Sequence, residues 1–152
     1  MPRVRSALRV TGVSVLAVAL LAACDKPAPK ITVLGGGKVV TITPSTYCFS
    51  GNHCRTVAAN AIDFPELTVA ADAKVLIDVP RSMSDNGWQA TALGLDKKVL
   101  GSSGLIRHEH SYKVPSGVAG GSPFVVEVIQ LRNGQPDGST WSFLVKVSLT
   151  KS

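Results

Sequence analysis

Little in this sequence supports a helical, catalytic or nucleic-acid-binding protein. Beyond residue 30 helical periodicity is nearly absent, and no apolar run after the first is long enough to enter a membrane. Basic residues are scattered, with only Lys97 and Lys98 adjacent, so there is no stripe suited to tracking phosphates and nucleic acid is not an expected partner. Gly101-Ser102-Ser103-Gly104 lacks the GxSxG spacing and the strand-to-helix setting of a nucleophile elbow. Gly35-Gly36-Gly37-Lys38 continues into Val39-Val40 instead of a Ser or Thr and a helix, which excludes a phosphate loop and leaves a hairpin turn. No catalytic set and no cofactor site is expected.

What the sequence does have begins at its first residues. Arg3, Arg5 and Arg9 precede a mostly apolar stretch, and Leu21-Ala22-Ala23-Cys24 closes it, the three-part layout of a secretory signal. At roughly 14 residues the apolar stretch is short for a permanent span of about 20. Small Ala22 and Ala23 leave room for a peptidase, and the Cys24 thiol is the one nucleophile there that can take a diacylglyceryl group as a thioether. Leu21–Cys24 therefore resembles a bacterial lipobox. The expected organisation is a cleaved lipoprotein signal peptide over 1–23, a lipidated Cys24 and short linker over 24–30, and one folded domain over 31–152. The linker, Asp25-Lys26-Pro27-Ala28-Pro29-Lys30, is polar and extended, as a tether must be. The implied location is the outer face of the cytoplasmic membrane, in the cell envelope.

Cleavage changes the charge balance. Removing the three signal arginines from sixteen basic residues leaves thirteen against ten acidic ones, a net of +3 instead of +6. It also makes sense of three cysteines. With Cys24 assigned to lipid, Cys48 and Cys54 remain as an even pair in an oxidising compartment, and a disulfide is the expected state. They are not spaced CxxC, which argues against a redox or zinc pair.

The rest of the chain alternates apolar and polar residues in short runs broken by Gly, Pro, Asn, Asp and Ser, the mark of half-buried strands. Ile31–Leu34 and Lys38–Thr43 flank the three glycines as an opening hairpin. Tyr47–Val57 carries the cysteine loop, and Ala58–Glu66 reads as loop. Leu67–Val69 and Lys74–Val79 are further strands. Trp88–Leu93 and Lys97–Leu100 form a hairpin around Gly94-Leu95-Asp96. His108–Val114 suits an edge strand, Phe124–Leu131 a central one, and Asn133–Gly138 a turn. Trp141–Leu149 is the clearest strand, with one face to be fully buried. Eight or nine strands with a turn about every 8 to 12 residues favour two packed antiparallel sheets, an all-β, immunoglobulin-like β-sandwich.

Tyr47-Cys48, Cys54, Leu67-Thr68-Val69, Lys74 to Val79-Pro80 and then Trp88 also resemble, in order and spacing, an uncharacterised actinobacterial lipoprotein family, the domain of unknown function twenty-seven seventy-one. Members have a lipobox, an opening hairpin, the paired cysteines and a closing strand with a tryptophan, here Trp141. The resemblance implies no activity, substrate or catalytic residue.

Two candidate contacts follow from the residues themselves. His108-Glu109-His110, if strand, puts both imidazoles on one face, close enough to share Zn or Cu, with His53 the remaining histidine. Trp88, after Asp85-Asn86-Gly87, is either a core anchor or an aromatic platform for a sugar or peptide. The expectation is a lipid-anchored, non-enzymatic binding or scaffold module, with an envelope protein or glycan as partner besides the membrane that Cys24 reaches. The rivals are an envelope hydrolase with a site built from loops, and a metal-binding lipoprotein using His108 and His110.

Overall fold

The computed structural model describes residues 27–50, 53–56 and 64–148. The signal segment, Cys24, most of the 58–66 loop and the end of the last strand at Leu149 lie outside them. The opening glycines do as expected. β1 (Ile31–Gly35) and β2 (Lys38–Ile42) pair antiparallel across a two-residue turn in which Gly36 and Gly37 have φ of 56° and 72°. Two positive φ values in succession are what a hairpin turn matched to strand twist requires.

The chain then supplies β3 (Thr46–Ser50) and β4 (His53–Thr56), a hairpin with Cys48 opposite Cys54, followed by β5 (Glu66–Ala70) and β6 (Lys74–Asp78). A six-residue helix, α1 (Arg81–Asn86), follows Pro80, in a stretch for which no helix was expected. β7 (Trp88–Gly94), β8 (Val99–Ser102) and β9 (Ser111–Pro115) come next, then a 3₁₀ turn over Ser116–Ala119. β10 (Phe124–Arg132) and β11 (Gln135–Ser148) complete the described chain. Among the described residues eleven strands replace the expected eight or nine, chiefly because the cysteine loop is itself two strands.

One sheet has the order β2-β1-β6-β9, the other β4-β3-β11-β10-β7-β8, with β5 also on β11. β6 and β9 pair in the first sheet while the intervening β7 and β8 lie in the second, and β10 and β11 return beside β7. Those crossovers make it an immunoglobulin-like β-sandwich. One ladder departs from the antiparallel expectation. β5 runs parallel to β11, from Leu144↔Glu66 to Ser148↔Ala70, and Lys146 pairs with Glu66 across it. At fourteen residues β11 is long enough to share one edge, β3 taking Thr140 and β5 the far half.

The expected turn over Asn133–Gly138 shrinks to Asn133-Gly134, with φ of 53° and 80°. Asn-Gly satisfies a two-residue hairpin unaided, so the strand resumes at Gln135. The ladder slips between Ile129 and Leu131, where Asp137-Gly138-Ser139 bulges out opposite Gln130.

Both sheets turn a strictly alternating face inward. Val75 and Ile77 of β6, Phe124, Val126 and Val128 of β10, and Trp141, Phe143 and Val145 of β11 are all buried. So are Trp88, Ala90 and Ala92 of β7. A buried indole still needs an acceptor for its N–H. Trp88 Nε1 donates to the Glu109 carbonyl at 2.9 Å, and Trp141 Nε1 to the Pro29 carbonyl at 3.0 Å. Ser116, also buried, holds the opposite end: its Oγ lies 2.8–2.9 Å from the carbonyls of Ala70, Ala71 and Ala73.

The first hairpin gives a graded test. Ala at Gly37 meets open space and carries only the left-handed backbone cost, about 1 to 2 kcal/mol. A Cβ at Gly36 falls 2.0 Å from the Thr68 carbonyl oxygen, so the hairpin must lift off β5 as well. Urea unfolding is expected to rank wild type above Gly37→Ala and Gly37→Ala above Gly36→Ala; equal midpoints for the two variants contradict the contact.

Candidate functional site

The Cys48–Cys54 disulfide ties directly opposed residues of β3 and β4. It abuts the β11 bulge, where a Cβ on Gly138 falls 2.7 Å from Cys48 Sγ, so only glycine lets the sulfur pack there. Polar links run through the same place. Asp137 Oδ1 accepts the Ser139 N–H at 2.9 Å, and Ser139 Oγ accepts the Cys48 N–H at 3.1 Å. Asp137 Oδ2 lies 3.7 Å from Arg132 Nη2. An open cleft of about 650 Å³ borders these groups. The Asp137 carboxylate is nearly buried: Oδ1 ties the bulge that the disulfide hairpin rests on, whereas Oδ2 has the Arg132 ion pair but no hydrogen-bond partner among the described residues. On the same hairpin Tyr47 and Phe49 pack edge to face with centroids 4.7 Å apart, and the Arg55 guanidinium stands 5.3 Å over Phe49.

A second concavity lies along the side of the sandwich where the edge strands β8 and β9 leave the two sheets apart. It is floored by Ala90 and Ala92, and walled by Gly101, Tyr112, Val114 and Val118, with a volume of about 160 Å³. Past Val118 the wall continues into a shallower hollow of about 460 Å³ between Leu95, Leu100, Ala119 and Pro123. Leu95 and Val99 are among the most exposed apolar side chains, at 66% and 60%. Lys97 and Lys98 sit on the turn beside them, exposed and without an ion pair among the described residues. Two alanines at inward positions directly after Trp88 were the available signal: small side chains on an inner face leave the opposing sheet nothing to interlock with. Their alternation was legible in the sequence, but the resulting groove was not.

The histidines fall elsewhere. β9 begins at Ser111, and His108 has φ of 59°, so the strand alternation expected to align His108 with His110 does not exist. His108 N–H instead donates to the Ser84 carbonyl, and His110 Nδ1 lies 3.3 Å from the Val79 carbonyl. The segment is pulled off the ladder because it must cap α1 and supply the Glu109 carbonyl to Trp88. Among the described residues no three His, Cys, Asp or Glu side chains gather as a metal site would need. Trp88 is wholly buried, which removes the aromatic platform and leaves the core anchor.

The order Tyr47-Cys48, Cys54, β5, β6 and Trp88 is now a set of placed elements, and a family model described as "Protein of unknown function (DUF2771)" matches residues 24–115. The chain belongs to that family. The match begins at Cys24 and ends with the last residue of β9, so it takes in the disulfide hairpin and one wall of the lateral groove. No curated protein matches the chain.

Removing the disulfide tests its contribution. A seven-residue closed loop is worth about 2 kcal/mol by chain entropy. The Cys48→Ala, Cys54→Ala protein is therefore expected to keep its β-sheet circular dichroism while losing about that much stability in urea. No change in midpoint contradicts it.

Proposed function

We propose that this protein is a lipid-anchored envelope module, held through Cys24 on the outer face of the cytoplasmic membrane, that binds an extended segment of a partner protein in its lateral groove. It works by binding, not catalysis. The observation that carries the reading is the groove itself: an apolar trough beside an edge strand whose outer backbone groups have no partner strand among the described residues. An edge with free N–H and C=O groups next to side-chain pockets is the arrangement that captures an added strand. Lys97 and Lys98 at the open end select acidic residues next to the apolar anchors of such a segment.

The anchor is supported by the lipobox residues, the prolines that follow, and a family match that starts at Cys24. The groove lies on the body and far end of the sandwich relative to that tether, where a partner has access.

Two measurements test the reading. Cys24→Ala is expected to move the protein from the membrane fraction to the soluble one; unchanged membrane retention rejects the anchor. For the groove, a photo-crosslinking residue at Leu95 is expected to give one discrete adduct whose crosslinked peptide is apolar with acidic flanks. The same residue at Val39, exposed on β2, should give none. Gly101→Phe should abolish the adduct without unfolding, because a Cβ there meets only Val118 at 3.9 Å while the ring fills the trough. An adduct that persists in Gly101→Phe, or forms equally at Val39, overturns the groove assignment.

A further inference from the structure

The tether leaves the sandwich at a defined point. Trp141 Nε1 holds the Pro29 carbonyl, and β1 starts two residues later. Four residues lie between Cys24 and Pro29, and the five steps reach at most about 18 Å when fully extended. With acyl chains on Cys24, the end of the sandwich that carries Pro29 must face the bilayer at close range.

Strand pairing shows what else lies at that end. Thr32 of β1 pairs with Asp78, Asp78 with Ser111, and Val79 N–H donates to the His110 carbonyl. The loop before β9 is therefore beside the tether. In that loop Leu105 is 53% exposed and lies over Gly87. Arg107 runs across the end of the fold, with Cγ against Gly87 and Nη2 against the Asn133-Gly134 turn, both at positive-φ glycines that carry no side chain to obstruct it.

We infer that this end is a lipid-contacting face, in which Leu105 enters the headgroup boundary and the Arg107 guanidinium bonds headgroup phosphates. The inference rests on the anchor at Cys24. It does not depend on long-range attraction. Arg81 is paired with Asp85 and Arg132 with Asp137, and Asp78 and Glu109 offset Lys30 and Arg107. Proximity supplies the drive: a short tether gives an effective concentration in the millimolar range, so a contact with a roughly millimolar dissociation constant is half occupied. An apolar side chain beside an arginine suits such a boundary, because the apolar group goes in while the guanidinium stays at phosphate level. The contact fixes the sandwich upright, with its groove turned away from the lipid.

The test uses the lipidated full-length protein in vesicles of phosphatidylglycerol and phosphatidylethanolamine that contain a headgroup-nitroxide lipid. A bimane label is placed through Glu109→Cys, beside the tether, or through Leu95→Cys, at the opposite end. Quenching is expected to be at least about twofold stronger at 109, the difference shrinking when Leu105→Asp and Arg107→Glu are combined. An unchanged thermal unfolding midpoint confirms that this variant is folded. Equal quenching at both positions overturns the inference, as does a difference that survives the double substitution. Protein that does not float with the vesicles rejects the anchor itself, whereas floating with equal quenching rejects only the face.

Discussion

A buried indole on the last strand governs this structure. Trp141 sits wholly inside the sandwich, and an indole N–H removed from water needs an acceptor; it finds the Pro29 carbonyl, on the first described stretch of the chain. That single bond closes the fold from its last strand to its first residues. It places the start of β1, and with it the point where the linker departs. Because Trp141, Phe143 and Val145 share one face, the register that buries the tryptophan also buries the rest of the inward row. A slip of one residue turns all three to solvent. The same strand carries β10 on one edge and both β3 and β5 on the other, so the disulfide hairpin and the parallel ladder are set from it.

Elements whose cause is local were legible in the sequence. Gly36-Gly37 dictates its hairpin because few other residues take two positive φ values in succession, and the turn after β10 was legible too, although its confinement to Asn133-Gly134 was not. The alternation of Trp141 to Val145 and the even pair of cysteines were equally plain. What was missed depends on partners distant in sequence. Nothing local in Glu66–Ala70 says that its ladder is parallel; that follows from the free edge left by a strand some eighty residues away. His108 to His110 has an acceptable strand pattern, yet Ser84 and Trp88 claim its backbone and break the ladder before Ser111. Asp137 lay in an expected turn, and nothing in the sequence marked Ser116. Their hydrogen-bonding roles appear only once the carbonyls of Ala70 to Ala73 and the amide of Ser139 are brought to them.

The groove comes from the same packing logic as the core. At its start β7 presents Trp88, which fills the space and finds an acceptor in the segment leading into β9. Toward β8 it presents Ala90 and Ala92, and the sheets can no longer interlock. Small inward residues beside two edge strands forgo some buried apolar area, and in return leave a trough that β9 and the 3₁₀ turn do not close. The fold is thus firm at the tether end, where both indoles are buried and bonded, and loosely filled along the flank that can receive a ligand.

The family match over residues 24–115 is not a folding unit, and the ladders show why. Within that span the four-stranded sheet is complete, but its inner face has almost nothing to rest on. Among the described residues β5 has β11 as its only partner strand, the β3–β4 hairpin joins the sheet through β11, and β7 loses β10 and keeps only the edge strand β8. Phe124, Val126 and Val128 from β10 and Trp141, Phe143 and Val145 from β11 supply much of the core opposite Val33, Val75 and Ile77. A sheet with one uncovered apolar face is not stable in water. The shared segment therefore holds the tether, the disulfide hairpin and one groove wall, while the two strands beyond it hold that segment folded.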